Sequence, residues 1–495
     1  MRSLIGLPVL RGVRVVQVAV VSAALPLLVA GMLTSACGDD RTHHTRLVLL
    51  LTVDTLRVDR LGAYGSELDL TPNLDALARE SEVFANAFAP APFTLPSLVS
   101  IHTGLYPEQA GVHSNNTPLP SDVQTLAQLL QAAGWRTAAV VGNYVVRERS
   151  GLAAGFDHYD ARFPQLEASR RLPERAATAT TDHAIEALDR LLAESPKQVF
   201  LWVHYQDPHG PYLPPGDLRQ RYLAHEAALP DGARVLEIAA AGLGGLPRYQ
   251  VVEPLPQQES ASHKTRGAHT VADYRAGYDG EVRYVDTQLG RLLDAIEARG
   301  LGDRATIVFA ADHGESLGEG DYWFAHGEYL NEAVLRVPLM LRVPGRSPGR
   351  RTDLVGLIDL LPTLVQHLAV AAPGGEPRPG RDLLADPSAH GSRTLLVSNL
   401  GVAEIPRHGV ITSDYRLVVE AAAAGRPERV RAHRLGRGSE SEKPLPASGA
   451  GATPTAELST SLRQLRKAFP SRKPLPAGLS SEETDHLQAL GYLRP

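Results

Sequence analysis

Apolar runs that end at polar, potentially reactive side chains constrain the fold of this chain most strongly. Residues 46–54, RLVLLLTVD, and residues 305–312, ATIVFAAD, each end in an aspartate, and residues 198–205, QVFLWVHY, are followed at once by QDPHGPY. Short continuous apolar runs are typical of strands that are buried on both faces of a sheet. We therefore predict that these three segments are strands in the core of an α/β protein.

Segments with the apolar spacing of helices lie between these runs. Strands that alternate with helices predict a mainly parallel sheet covered on both faces, and hence a three-layer α/β/α sandwich. After the Pro- and Gly-rich residues 370–382, further strand-like runs predict a smaller C-terminal α+β subdomain. The predicted helices are residues 71–82 (N-cap Thr71), residues 121–133 (N-cap Ser121) and Val271 to Ile296, and the further strands are residues 136–142, 337–343, 394–405 and 415–422.

Composition changes along the chain suggest its division into parts. Residues 228–269 lack a clear period and are predicted to be an insertion or long loop, and residues 435–480 are polar enough to be poorly ordered in places. We predict the following division: a targeting segment, residues 1–37; a short linker, residues 38–45; a main domain, residues 46–375; and a C-terminal subdomain with its tail, residues 376–495.

The first 37 residues have the layout of an export signal. Arg2, Arg11 and Arg14 precede an uncharged, mostly apolar run that extends from Val15 to Cys37. LTSAC resembles a bacterial lipoprotein cleavage box, in which Cys37 is lipidated; an uncleaved membrane anchor and plain secretion are the alternatives. All three predict a protein of the bacterial cell envelope that works outside the cytoplasm, and the first two place it on a membrane.

The net charge and the cysteine content argue against a nucleic-acid partner and against disulfide bonds. The formal net charge is −5, and removal of residues 1–37 deletes three arginines and no acid, which makes it −8. A basic face for nucleic acid is therefore not expected. Cys37 is the single cysteine of the sequence, so no disulfide is predicted in the mature part.

Polar residues cluster at the predicted carboxyl ends of the strands, where open α/β sheets bind ligands. Asp54 ends the first run, Asp312 and His313 end another, and His209 follows the third. Singly, each has an ordinary structural explanation, since an aspartate after a strand often forms a turn. Together, two carboxylates and an imidazole are a reasonable ligand set for one divalent ion, so we predict a metal site at Asp54, Asp312 and His313.

Thr94 lies where the stretch FTLPSLVSIHTGLYP, residues 93–107, turns into a predicted helix. Alone, it would most simply be a helix N-cap. A nearby divalent cation would lower the pKa of its hydroxyl, and the helix N-terminus would favour both an alkoxide and an anionic substrate. Thr94 is therefore predicted to be both a metal ligand and a nucleophile, and Ser97, the rival hydroxyl, is predicted to be structural.

Several motifs resemble, in order, those of the sulfatase family of the alkaline phosphatase superfamily. The similarity extends from about Leu47 to about Leu384, and it implies an α/β/α sandwich with a smaller C-terminal subdomain. The closing LSSEETDHLQALGYL also resembles the end of many bacterial members. The motifs are VDTLRVDRLGAYG, TPNLDALA, TLPSLVSIHTGLYPEQAGVHSNN, DPHGPY, ADHGESLGEG, FAHGEYLNEAVLRVPLML and LIDLLPTL.

The resemblance implies roles at the matching positions. Asp54, and Asp312 with His313, match metal-binding residues, and Thr94 falls at the nucleophile position. His209 and His326 resemble contacts to the substrate anion or leaving group, and either could act as general acid. Asn115 resembles a substrate-contacting asparagine of phosphonate-ester-cleaving relatives. A structural role remains the alternative for Asn115 and His209.

The chain departs from the family pattern at the nucleophile. Type I sulfatases convert a cysteine or serine in C/S-x-P-x-R to formylglycine, but this chain has Thr94, and Leu98 replaces the arginine. Threonine is the nucleophile in relatives that transfer phosphoethanolamine or glycerol phosphate. The resemblance therefore implies one divalent metal ion, with Mn²⁺ or Zn²⁺ favoured by the imidazole ligand and Ca²⁺ or Mg²⁺ as alternatives.

The predicted activity is metal-dependent hydrolysis of a sulfuric, phosphoric or phosphonic ester through a covalent threonine intermediate. The expected partner is an anionic ester carried by a small molecule, a glycan or a lipid head group. The alternatives are an envelope phosphotransferase and a catalytically lapsed protein that binds anionic glycans.

Overall fold

The computed structural model describes residues 45–163, 165–166, 173–239, 242–251, 270–372, 374–386, 391–399, 405–422, 426–436, 444–445 and 453–489. The predicted signal with Cys37 lies outside these residues, as do residues 252–269 of the predicted insertion. Within the described part of the chain, no helix is long and apolar enough to cross a membrane.

The described secondary structure alternates between strands and helices up to His367. The strands are β1 (Arg46–Val53), β2 (Glu82–Phe88), β3 (Arg136–Val141), β4 (His158–Asp160), β5 (Gln165–Leu166), β6 (Pro173–Glu174), β7 (Gln198–Tyr205), β8 (Ile238–Ala239), β9 (Leu246–Pro247), β10 (Ala305–Ala311), β11 (Ser316–Leu317), β12 (Trp323–Ala325), β13 (Arg336–Val337), β14 (Leu339–Arg342), β15 (Gly349–Gly356), β16 (Leu395–Ser398), β17 (Arg407–Ile411), β18 (Tyr415–Glu420) and β19 (Arg429–Arg434). The helices are α1 (Pro72–Arg79), α2 (Thr94–Thr103), α3 (Pro107–Ala110), α4 (Leu126–Ala132), α5 (Ala177–Ala193), α6 (Leu218–Ala227), α7 (Val271–Glu297), α8 (Glu332–Leu335), α9 (Leu360–His367), α10 (Thr453–Ala468) and α11 (Ser481–Ala489).

The central sheet has β1 in its interior. Strand β1 pairs in parallel with β10 on one side and with β7 on the other, and β7 continues in parallel to β3 and β4. The remaining part is mixed, because β14 is antiparallel to both β10 and β2, whereas β15 is parallel to β2. Strands β1, β7 and β10 are almost entirely buried, as predicted from their apolar runs.

Helices cover both faces of this sheet. Trp202 and Tyr205 of β7 point to opposite faces because side chains alternate along a strand. Trp202 packs edge-on against His102 of α2, and Tyr205 bonds to Thr181 of α5. Helix α7 packs against α1, α5 and α6, while α2 packs against α4 and α9. The predicted three-layer architecture is confirmed.

The smaller C-terminal part is an antiparallel sheet of β16, β17, β18 and β19, and α10 packs on it. Its apolar side chains form a second cluster that includes Leu458 and Leu462 of α10. We expected poor order within residues 435–480, but residues 453–468 are helical because these leucines bury one face of the helix. Residues 437–443 and 446–452 of the same prediction lie outside the described residues.

One predicted helix start was wrong. Helix α4 begins at Leu126 and not after Ser121. Thr125 and Gln128 form a capping box, in which each side chain accepts the backbone N–H of the other residue. A capping box satisfies two backbone N–H groups that would otherwise lack a partner at the helix start. The helix therefore begins after Thr125 and not after the exposed Ser121.

Candidate active site

The carboxyl ends of β1, β7 and β10 lie side by side at one edge of the sheet. The Asp54 N–H donates to the Tyr205 carbonyl at 3.0 Å, and the Asp312 N–H donates to the Val53 carbonyl at 3.3 Å. The sheet ladder therefore continues one residue past the strands and fixes the backbone of both aspartates. This is the edge at which the sequence predicted a ligand site.

Thr94 is the first residue of α2 and is fully buried. It is not the N-cap, which is Phe93, and Phe93 makes no side-chain cap bond. The Leu95 N–H is instead satisfied by Asn115 Oδ1 at 2.9 Å. The rival hydroxyl, Ser97, donates to the Ala91 carbonyl at 2.8 Å, a structural bond. Thr94 therefore does not act as the helix N-cap. Its hydroxyl lies instead near His313.

Asp54, Asp312 and His313 converge with Thr94 in the fully buried interior of this edge. One ligand atom from each of Asp54, Asp312 and His313 lies within 4.8 Å of the other two. His313 Nε2 is 3.6 Å from Asp54 Oδ1, 3.8 Å from Asp312 Oδ2 and 3.5 Å from Thr94 Oγ1. The chain thus gathers four possible ligand atoms around a single point.

The donor set carries uncompensated negative charge. Asp54 Oδ1 and Asp312 Oδ2 are buried and accept no hydrogen bond from the described part of the chain. Burial, and then the charge of Asp312, raise the pKa of Asp54 well above its usual value, and burial also raises the pKa of Asp312. Two buried carboxylates with free oxygens are stable together only beside a cation or a proton. The residues therefore fit a divalent metal ion.

The tautomer of His313 suits the same role. Its Nδ1 lies 2.9 Å from the Gly314 carbonyl, which can only accept, so Nδ1 carries the proton. Nε2 then faces the two aspartates. A backbone carbonyl that fixes the ring in this way is typical of metal-binding histidines.

Asn143 was missed by the sequence analysis. It follows β3 at the same edge of the sheet, and its amide donates a short hydrogen bond to Asp54 Oδ2. Asp312 Oδ1 is held in a comparable way by the N–H groups of Thr55 and His313, at 3.3 and 2.7 Å. Each carboxylate therefore has one oxygen fixed by the protein and the other directed to the site. The strand-end rule that found Asp54 would also have found Asn143.

His209 and His326 lie next to the metal-binding cluster. Their ring centroids are 5.2 Å apart, and the His326 ring is 4.6 Å from that of His313. His209 Nδ1 is 2.9 Å from the Gly210 carbonyl. Both imidazoles are therefore close enough to the site to contact a substrate held there.

Glu315, also missed, lies behind His326. Its Oε1 is 3.1 Å from His326 Nδ1, and Tyr212 donates to its Oε2 at 3.1 Å. Burial raises the pKa of Glu315 to about 8 and lowers the pKa of His326 well below its usual value. Glu315 fixes the orientation of the His326 ring. No sequence signal distinguished this glutamate from the other acids of ADHGESLGEG.

Asn115 is buried, and its position serves two purposes. Its oxygen holds the amide next to Thr94, whereas its Nδ2 has no hydrogen-bond partner among the described residues. The structural role that was considered for Asn115 is therefore real. The free N–H₂ group is in addition available to a ligand beside Thr94.

Comparisons with known proteins identify the family of this chain. The sulfatase family profile matches residues 46–370. Human iduronate 2-sulfatase is 28% identical over 396 residues, which cover 67% of this chain and 70% of the relative. The solved phosphonate monoester hydrolase of Agrobacterium radiobacter has a TM-score of 0.67 at 20% identity, covering 86% of this chain and 96% of the other.

A second solved structure is a complex of a protein with its substrate, D-glucosamine-2-N,6-O-disulfate. It has a TM-score of 0.66 at 20% identity and covers 86% of this chain and 98% of the other. These structural matches establish the shared fold. With the profile match over most of the described catalytic core, they lead to one assignment: the chain is an ester hydrolase that belongs to the sulfatase family.

Proposed function

We propose that the chain hydrolyses a sulfuric or phosphonic ester by a metal-dependent reaction with Thr94 as the nucleophile. The observation that carries this proposal is the convergence of the Thr94 hydroxyl, two free carboxylate oxygens and His313 Nε2 within a buried site. A purely structural cluster would pair its carboxylates with protein donors.

Asp54, Thr94, Asp312 and His313 would hold one divalent cation. When bound, this cation would lower the pKa of the Thr94 hydroxyl and stabilise negative charge on the ester oxygens. One imidazole among oxygen ligands suits Mn²⁺ or Zn²⁺ better than Ca²⁺.

The reaction has two balanced halves. In the first, Thr94 Oγ1 bonds to the sulfur or phosphorus atom, the bond to the leaving oxygen breaks, and that oxygen takes up a proton. In the second, water attacks the same centre, Thr94 regains its proton, and the inorganic or phosphonate acid leaves. The net reaction consumes one ester and one water.

His326 and His209 lie where they could contact the leaving oxygen of the ester. Because Glu315 fixes His326 Nδ1, the other nitrogen of that ring faces away from Glu315. We assign contact with the leaving oxygen to these two imidazoles together, and anion contact to the free amide of Asn115.

The ester class follows from the nucleophile. Threonine cannot become formylglycine, and Leu98 supplies no charge. We therefore favour a phosphonate ester or phosphodiester over a sulfate ester. The solved relative named as a phosphonate monoester hydrolase supports this choice, whereas the named iduronate 2-sulfatase and the disulfated-sugar complex support sulfate.

The test is metal analysis together with turnover of matched aryl sulfate, aryl phosphonate and phosphodiester substrates. We expect Thr94→Ala to lose turnover by at least ~10³-fold, about 4 kcal/mol in activation free energy. Ser97→Ala is the matched control from the same helix and should keep its activity. Equal rates in the parent and Thr94→Ala would remove Thr94 from the mechanism, and a tenfold preference for sulfate would overturn our choice of ester.

A phosphotransferase remains the second candidate, because a threonine-bound phosphoryl group can pass to an alcohol as readily as to water. Its test is partition of a labelled group between water and an added alcohol acceptor. Capture mainly by the alcohol would replace hydrolase by transferase. Absence of turnover for every ester would instead favour a lapsed protein that only binds anionic glycans.

We also propose that the chain works in the bacterial envelope, outside the cytoplasm, attached to a membrane through lipidated Cys37 or an N-terminal anchor. The basic, apolar and small-residue order of residues 1–37 supports this proposal. Metabolic labelling with a fatty acid should mark the parent and not Cys37→Ser. Equal labelling of both would exclude lipidation at this cysteine.

A further inference from the structure

The C-terminal tail, residues 471–489, returns from α10 to lie on the catalytic domain. The Arg472 N–H donates to the Glu108 carbonyl at 2.9 Å, and its guanidinium pairs with Asp122 at 2.6 Å. Further along, the half-buried Leu479 packs against the main hydrophobic core. The tail is therefore docked at two points and passes over the loops beside α2.

A pocket under this tail adjoins the candidate active site. It is lined by Leu95, Asn115, Arg147, Arg149 and Leu479, among others. Leu95 directly follows Thr94, and Asn115 holds the Leu95 amide. Asn115, which is 4% exposed and has a free Nδ2, belongs to this lining. A ligand group in the pocket would thus be a neighbour of the group that reacts at Thr94.

Glu483 of the tail pairs with both arginines. Its Oε1 accepts from Arg147 Nη2 at 2.6 Å, and its Oε2 lies 3.4 Å from Arg149 Nη1. Arg149 Nη2 also donates to the Gly478 carbonyl at 2.6 Å. A bond from the Ser480 N–H and another from Arg147 lower the pKa of Glu483 to about 2, so its carboxylate is charged. A carboxylate therefore rests on two guanidinium groups beside the active site.

We propose that Arg147 and Arg149 bind a second anionic group of the substrate, and that the Glu483 carboxylate occupies this position until the substrate displaces the tail. In naming the ligand as substrate, the proposal rests on the ester hydrolase function proposed above. The substrate class becomes an ester that carries a further sulfate, phosphonate or carboxylate near the scissile group.

The position of the two arginines supports a subsite. They lie on the loop that follows β3, and the same loop begins with Asn143, which bonds to Asp54. The loop is therefore tied to the metal-binding cluster at one end and to the tail at the other. Guanidinium groups recognise carboxylate, sulfate and phosphonate in the same forked geometry, so one anion can replace another.

The ion pair between Arg147 and Glu483 can be exchanged for a pair with a substrate anion. The Arg147 and Glu483 side chains are 15% and 20% exposed, and partly exposed ion pairs contribute little to stability. Thr94, Asp54, Asp312 and His313 are fully buried, and the pocket lined by Leu479 of the tail includes Leu95, the residue after Thr94. A substrate anion that replaces Glu483 on the two arginines would open the pocket only for a substrate with a second anionic group.

Binding of two inert probes tests the subsite without any turnover. Benzenesulfonate has one anionic group, benzene-1,3-disulfonate has two, and neither is an ester. Their affinities are measured by calorimetry for the parent, Glu483→Gln and Arg147→Gln. Arg346→Gln is the control, because Arg346 also pairs with a glutamate, Glu82 on β2, away from the tail.

We expect Glu483→Gln to increase the affinity ratio of disulfonate to monosulfonate about tenfold, because the competing carboxylate is gone. Arg147→Gln should lower this ratio about tenfold, and Arg346→Gln should leave it unchanged. The same ratio in all four proteins would overturn the proposal and leave the tail as a structural element. Absence of ester turnover would overturn the hydrolase function alone, since the binding ratio is read separately.

Discussion

Two buried carboxylate sites at the carboxyl ends of strands differ in what balances their charge. Asp359 follows β15 and is fully buried, and both of its oxygens face the Arg393 guanidinium, one at 2.7 Å. It also accepts the N–H groups of Gly356 and Arg381, each at 2.8 Å. Asp54 and Asp312 are equally buried, but each keeps one oxygen without a hydrogen bond from the described chain.

The difference distinguishes a carboxylate whose charge the fold already balances from a pair with open oxygens that could bind a cation. Asp359 lies between β15 and α9, and the guanidinium group of Arg393, from a later segment, pairs with it. The charge of Asp359 is therefore already compensated. Asp54 and Asp312, the proposed metal ligands, each have one fixed oxygen and one open oxygen, and the His313 imidazole lies between the open oxygens. Changes at the two sites should therefore have opposite effects on stability and on activity.

The largest effect is expected for Asp312→Asn. Its Oδ1 still accepts from Thr55 and His313, but an amide replaces the free oxygen, so turnover should fall at least ~10³-fold, about 4 kcal/mol in activation free energy. The metal-free variant should be more stable than the metal-free parent by about 1–2 kcal/mol, because one of two repelling carboxylates is gone. Bound metal by mass spectrometry and urea unfolding are the measurements. A variant with full turnover would contradict the metal site.

Arg393→Gln should do the reverse. The buried Asp359 loses its cation, so the free energy of unfolding should fall by about 3–5 kcal/mol while the metal content per folded molecule stays the same. The double variant Asp359→Asn/Arg393→Met should regain much of the loss, because no charge is then left buried. A loss below ~1 kcal/mol for the single variant would show that Arg393 does not balance Asp359.

Removal of the cation with a chelator should destabilise the parent by a smaller amount. A ligand present at 100 times its dissociation constant contributes about 2.7 kcal/mol, and its loss should lower the melting temperature. Mn²⁺ or Zn²⁺ should restore it. In Asp312→Asn the chelator should have no effect, and a similar decrease there would place the stabilising ion elsewhere.

The smallest effect is expected for Asn143→Ala. Asp54 loses the donor that fixes one of its oxygens, so metal affinity should weaken about 10- to 100-fold with the fold intact. Asn86→Ala is the control, since Asn86 donates to the Thr352 carbonyl at an exposed position. An unchanged affinity in Asn143→Ala would mean that Asp54 needs no such support.

Strand positions were predictable because the relevant signal is local. Strands β1, β7 and β10 coincide with continuous apolar runs, and the stripe from Val271 to Ile296 marks α7. Cap choice was less predictable: Ser121 and Thr125 are both good caps, and the contact of Thr125 with Gln128 decided between them. The order of α10 also depended on a distant partner, the sheet β16–β19.

The sequence alone determined the parallel core, the family motifs and the list of polar residues at strand ends, because each of these depends on residue type and spacing along the chain. Only the tertiary structure decided which aspartate is compensated and which is not. Asp54 and Asp359 each follow a strand of the central sheet, and the cation that distinguishes them, Arg393, lies on a separate segment of the chain. The same reason applies to Glu483 and the two arginines: charge balance is set by neighbours in space, which the chain order does not specify.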